Sequence, residues 1–228
     1  MHKRFGLIFG AVLLGALLAA CGKAAPSRQV QTGDVLLRAD FQTGADWEAG
    51  SYPADAEAPT ATLGVVDGRY RIDYRSGSSA SFVWGLGGGE YENVVVEVTT
   101  EQLSADDDNL YGVGCRIVTD ERGEVSGYAL LISGDGHYGI ADLSRRSLDF
   151  ILEWHQTDII HPGRATNTLR AVCVDDYLAL YVNDEFLGEV QDSRYRRAGQ
   201  IALIAGVAKD TEVSVAFDDL TVYEGALK

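Results

Sequence analysis

Apolar and polar residues alternate with a period of two almost throughout this chain, and the spacing of an amphipathic helix is nearly absent. A chain patterned this way buries one side of each strand, so it must fold as sheets stacked face to face. RYRIDYR puts Tyr70, Ile72 and Tyr74 on one side and Arg69, Arg71, Asp73 and Arg75 on the other. NVVVEVTT gathers Val94, Val96 and Val98, and YGVGCRIV gathers Tyr111, Val113, Cys115 and Ile117 against Gly112, Gly114 and Arg116. Further strands are expected at ASFVWG, YALLIS, HYGIADL, DFILEW, GQIALIAGV and TEVSVAFDDLTVY. Asp67-Gly68, Gly134-Asp135-Gly136, Asp175-Asp176 and Asn183-Asp184 supply turns between strands. About a dozen short strands joined this way predict an all-β fold, an antiparallel two-sheet sandwich or jelly roll.

The stretch LRAVCVDDYLALYVNDEFLGEV divides into three such strands. Leu169, Ala171 and Cys173 share a face. Leu178, Leu180 and Val182 form the next buried row, with Tyr177, Ala179 and Tyr181 opposite. Phe186, Gly188 and Val190 then face one way, and Leu187 and Glu189 the other. This stretch is scaffold. Cys115 and Cys173 both fall on apolar rows, so a disulfide between them is expected in an oxidising compartment, with two buried thiols as the alternative. The four histidines, His2, His137, His155 and His161, show no zinc-ligand spacing with either cysteine.

Ahead of the alternating region, His2, Lys3 and Arg4 precede an uncharged run from Phe5 to Leu18, too short for a membrane span of about 20 residues. Leu18-Ala19-Ala20-Cys21 resembles the lipobox of bacterial lipoproteins. That resemblance implies a signal peptide over 1–20, cleavage before Cys21, and a diacylglycerol thioether with further acylation (palmitate or a similar chain) at Cys21. The protein is then expected in the bacterial cell envelope, held to a membrane on its extracytoplasmic side by lipid. Residues 21–34 are small and polar and read as a flexible tether, with an edge strand near Val30 as the alternative. Residues 35–228 suit one sandwich domain. The formal net charge is −15, and no run of Lys or Arg survives cleavage, which argues against nucleic-acid partners.

Several motifs, taken in order, resemble the concanavalin A-like, laminin-G-like jelly rolls over roughly Val35 to Tyr223. ADFQTGADWEAG, with Phe41 and Trp47, is similar to the family's first strand. YGVGCRIV with GYALLISGDGHYGI is similar to its central pair. Asn167-Thr168-Leu169, Leu180-Tyr181-Val182-Asn183 and Phe217-Asp218-Asp219-Leu220 stand where the family has its closing meander and final strand. The nearest branch includes the domain of 3-keto-disaccharide hydrolases. One departure is Asp184, where the family's turn has glycine, which puts that hairpin's geometry in question.

The resemblance implies glycan or surface-partner binding, or else saccharide hydrolysis or lysis. The glucanases of this superfamily carry E-x-D-x-x-E, and no such match exists here. Glu90, Glu92 and Glu97 approach it in density only and read as a solvated face. Ser133 and His137 bracket GDG without a nucleophile elbow. No residue is assigned as catalytic, and the chain reads as a binding module rather than an enzyme, with a purely structural envelope role as a further alternative. For a groove, Gly112, Gly114 and Arg116 are candidates for the floor and Trp84, Trp154 and His155 for the walls, although each tryptophan also suits a core. Gly87 to Gly89 read as a turn. The resemblance further implies structural calcium between the first and last strands, with Asp40, Asp218 and Asp219 as candidate ligands. The apolar row changes phase at Asp218-Asp219, which predicts a bulge there. The run Asp106 to Asp108 reads as solvated.

Overall fold

The structure, a computed structural model, describes residues 25–42, 46–53, 60–77, 79–208 and 211–228. The expected signal peptide (1–20) and Cys21 lie outside the described residues. Among the described residues fifteen strands, numbered in chain order, form two antiparallel sheets. The larger sheet runs β13 (Glu185–Gln191), β12 (Tyr177–Val182), β11 (Thr166–Val174), β6 (Val94–Gln102), β15 (Glu212–Leu227), β4 (Arg69–Arg75), β3 (Ala61–Val66) and β2 (Gly50–Tyr52). The first half of β15 pairs with β4, and its second half pairs with β1 (Val30–Ala39). The smaller sheet runs β10 (Ser147–Gln156), β9 (His137–Ser144), β8 (Val125–Ile132), β7 (Asn109–Thr119), β14 (Gly199–Val207) and β5 (Ser81–Tyr91).

Alternation now becomes packing. One core lies between the sheets, where Tyr70, Ile72, Val94, Val96, Val98, Leu169, Leu178 and Leu180 meet Tyr111, Val113, Tyr128, Leu130 and Leu203. Cys115 of β7 is bonded to Cys173 of β11 in that core, so the expected disulfide joins the two sheets. The asparagines of the family-like motifs are structural. Asn183 Nδ2 donates to Asn167 Oδ1 (2.9 Å) and to the Ile159 carbonyl (2.9 Å), and Asn167 is wholly buried. The questioned hairpin forms regardless of Asp184. Asn183 and Asp184 both take positive φ (51° and 66°), the type I′ geometry that a two-residue hairpin needs.

Several expectations are corrected. β1 starts at Val30, opposite Leu227, so the sheet takes the last five residues of the expected tether. Arg28 is held as well, by Asp176 at 2.8 Å. A register shift between Leu180 and Tyr181 re-phases β13, so Leu187 joins the inner core while Phe186 turns outward against Tyr181. The Gly87 to Gly89 run is strand, not turn. Its glycines serve close approach: a Cβ on Gly87 would stand 2.0 Å from the Trp47 ring, which bridges to that strand.

One end of the sandwich is closed by residues 192–196. Tyr128 Oη donates to Asp192 (2.6 Å), Tyr195 Oη donates to Asp142 (2.7 Å), and Arg194 pairs with both acids. Burial alone would raise the Asp192 pKa, but hydrogen bonds from Arg194 and Tyr128 outweigh it and hold the carboxyl below its ordinary value. A depressed folded-state pKa gives stability that is present above the unfolded value, near 3.9, and lost as pH falls through the folded value. Asp192→Asn is therefore expected to flatten the acid limb of a melting-temperature profile below about pH 4. Melts of both proteins from near-neutral to strongly acid buffer check this, and parallel acid limbs would remove Asp192 from the account.

Candidate functional site

The outer face of the smaller sheet is apolar, and its middle is buried: Ile117, Ala129, Leu131, Ala141, Leu143, Ala202 and Ile204 form a second core cluster. Its middle is built from small residues. One row across the strands reads Leu86, Ala202, Gly114, Ala129, Ala141 and Phe150, and the next begins Trp84, Ile204, Gly112, Leu131. Glycine and alanine thus occupy the buried middle of the face, and large, partly exposed side chains stand on both edge strands. Phe82 and Trp84 of β5 lie 5.7 Å apart at one wall, and Phe150 and Trp154 of β10 lie 4.8 Å apart at the other. The sheet curls enough that Phe82 and Trp84 share one cavity, of about 730 Å³, with Leu148 and Phe150. That volume suits a small-molecule or oligomer subsite.

Leu110, Leu63, Val83 and Val207 add apolar lining, and polar groups stand among them: Glu48, Tyr52, Ser81, Arg146 and Ser147. Tyr52 Oη donates to Glu48 Oε1 at 3.0 Å, and the Leu86 N–H donates to the other carboxylate oxygen at 3.3 Å. That hydrogen bond, then burial and the Glu48 charge, push the Tyr52 pKa above its ordinary value. Apolar walls with a few polar groups describe a surface for binding a molecule that has both a flat apolar face and hydrogen-bonding edges.

No family model matches the chain, and no curated protein matches it. Solved structures do. The carbohydrate binding module CBM66 from Bacillus subtilis superimposes with a TM-score of 0.60 at 14% identity, covering 80% of this chain and 98% of its own. A Bacillus subtilis protein of unknown function with a galectin-like fold gives 0.63 at 10% identity, covering 88% and 100%. The Bacillus licheniformis β-glucanase gives 0.55 at 9%, covering 85% and 99%.

The fold is a galectin-like jelly roll.

On this jelly roll the sequence-derived candidates scatter. Trp84 and Trp154 do share the outer face of the smaller sheet, on opposite edges, but only Trp84 lines the cavity; Gly112 and Gly114 are buried in the middle of that face and do not line it. His155, adjacent to Trp154 on the same strand, points to the opposite face, and its ring lies 5.8 Å from Tyr138. Arg116 is not a groove residue at all. It is 1% exposed, sits at a bulge with φ of 54°, and donates to the carbonyls of Glu92, Asp175 and Tyr195 at 2.7, 2.7 and 2.8 Å. Burial pulls its pKa down.

The expected bulge is present: β15 shifts register between Asp218 and Thr221, with Asp219 at positive φ. Ala39 pairs with Leu220, so Asp40 and Asp219 do come to the same place. Their donors are turned to local use, however. Asp40 Oδ1 accepts the Gln42 N–H (3.1 Å) and Asp218 Oδ1 accepts the Asp219 N–H (2.8 Å). Among the described residues no three His, Cys, Asp or Glu gather as metal ligands.

Ser133 and His137 each bind Asp135, at 2.5 and 2.8 Å, rather than one another, so no nucleophile and base are paired. Burial alone would raise the Asp135 pKa, and those two bonds lower it overall. Phe82, Phe150, Glu48, Tyr52 and Arg146 escaped the sequence reading. The one signal was SFVWGL, apolar on both alternating faces at an edge of the sheet, where one face of such a strand is ordinarily polar.

Proposed function

We propose that this protein is a non-catalytic binding module, anchored through lipid at Cys21 on the extracytoplasmic side of a bacterial membrane, and that it holds a glycan in the cavity between β5 and β10. The observation that carries the reading is the pair of apolar walls, Phe82 with Trp84 on β5 and Phe150 with Leu148 on β10, around a lining with few polar groups. A pyranose ring has a flat face of C–H bonds that packs on aromatic rings, and its hydroxyls reach the rim at Ser81, Ser147 and Tyr52. Support for the ligand class comes from the carbohydrate binding module among the similar structures. Glycoside cleavage asks for two carboxyl groups about 5–9.5 Å apart across the bond. Glu48 is the one carboxylate lining the cavity among the described residues, and its two oxygens are occupied.

A glycan-array scan with the full-length chain in detergent tests the reading. Binding to one glycan class is the expected result. Trp84→Ala with Phe150→Ala should then weaken that binding by about tenfold or more, the loss of about 1.4 kcal/mol of ring packing. Trp154→Ala, outside the cavity lining, should change it little. A blank array, or equal losses from Trp84 and Trp154, would move the function to a protein partner or a structural envelope role.

A further inference from the structure

We infer that the saccharide bound here is anionic and that the Arg145-Arg146 turn receives its charge; this rests on the reading of the cavity as a saccharide site. The turn joins β9 to β10, and Arg146 lines the cavity beside Ser147. Both arginines hold positive φ, 49° and 62°, the two central positions of a type I′ hairpin where asparagine and glycine are favoured. A long side chain in that conformation costs stability at each position. The other such turns in this chain use Asp67-Gly68 and Asn183-Asp184. Chemistry rather than backbone preference accounts for arginine here.

The charge balance agrees. The chain has 34 Asp and Glu against 19 Lys and Arg. Among the described residues Arg145 and Arg146 stand in no ion pair, a state they share with Arg38, Arg116, Arg122, Arg164, Arg196 and Arg197, but of these only Arg146 lines the cavity. The acids nearest in sequence, Asp142 and Asp149, are engaged elsewhere: Asp142 pairs with Arg194, and Asp149 accepts the Ser147 hydroxyl at 3.3 Å. Glu48, on the same cavity, disfavours an anion at its own position. A ligand with its ring on Phe150 and Trp84 and its carboxylate or sulfate at Arg146 satisfies both ends, since a guanidinium matches such groups in a bidentate way.

Isothermal titration of the full-length chain in detergent, at low salt, decides this with matched probes: a trigalacturonate, its uncharged methyl ester and a sulfated trisaccharide. The expected result is about tenfold tighter binding of an acidic probe than of the ester, with the stronger acidic arm naming carboxylate or sulfate, and a preference that shrinks as salt rises. Arg145→Asn with Arg146→Gly suits the turn better. It should keep or raise the melting temperature and bring the affinities for acid and ester to within about twofold of each other. Equal binding of acid and ester, or a preference that survives in the Asn-Gly variant, overturns the charge assignment and leaves the saccharide site standing. No binding of any probe overturns both.

Discussion

Replacing Cys115 and Cys173 together by alanine is expected to cost about 4 kcal/mol of unfolding free energy. The bridge spans 58 residues of sequence, and closing a loop of that size removes roughly that much conformational entropy from the unfolded chain. Both sulfurs are wholly buried, so the lost packing adds to the effect. Urea unfolding of the two proteins measures it. The midpoint should fall, and the slope should rise because the uncrosslinked chain exposes more surface. A midpoint shift worth less than about 1 kcal/mol would mean that the bridge constrains little in the unfolded state.

Arg116→Met should cost a similar amount, roughly 3–5 kcal/mol, by a different route. The guanidinium supplies hydrogen bonds to three carbonyls, to Asn93 Oδ1 at 3.0 Å and to the Cys173 carbonyl at 3.4 Å. Methionine fills similar volume and leaves those acceptors in a buried place without donors, each a cost of about 1–3 kcal/mol before relaxation. Arg116→Lys keeps the charge but has a single head with three donors, so it should fall between. Both variants share the same positive φ, so their difference reads the hydrogen bonds and not the backbone. Equal stability of the Met variant and the parent in urea would show that water replaces the guanidinium at no cost. Arg116 also follows Cys115 directly and binds the carbonyl of Cys173. The combined variant should therefore lose less than the two single effects added, since both devices hold β7 to β11.

The fold was legible because it is written in a period of two. Tyr70 and Ile72, Val94 to Val98, and Leu178 to Val182 pointed inward as their alternation required, and the cysteines on those rows met across the sheets. The motifs behind the family resemblance proved to be scaffold. Asn167 and Asn183 hold each other and the loop before β11, and Arg116 holds one end of the sandwich. What escaped was whatever depends on register breaks and curl. Leu152 turned to the inner core between two shifts in β10, Phe186 and Leu187 exchanged roles through one shift opposite β13, and Arg146 came to line one cavity with Phe82 only because the sheet bends. A local pattern carries no information about which edges of a sheet approach each other.

The register breaks in β10 bear on how this protein behaves in a crowded envelope. β10 is the outermost strand of the smaller sheet and carries Leu148, Phe150, Ile151, Leu152 and Trp154, a composition that on a straight edge invites addition of a strand from another molecule. Shifts between Phe150 and Leu152 and between Leu152 and His155 interrupt the regular ladder of amides and carbonyls that such a visitor would need. The same irregularity that turns Leu152 into the inner core thus guards an apolar edge against self-association.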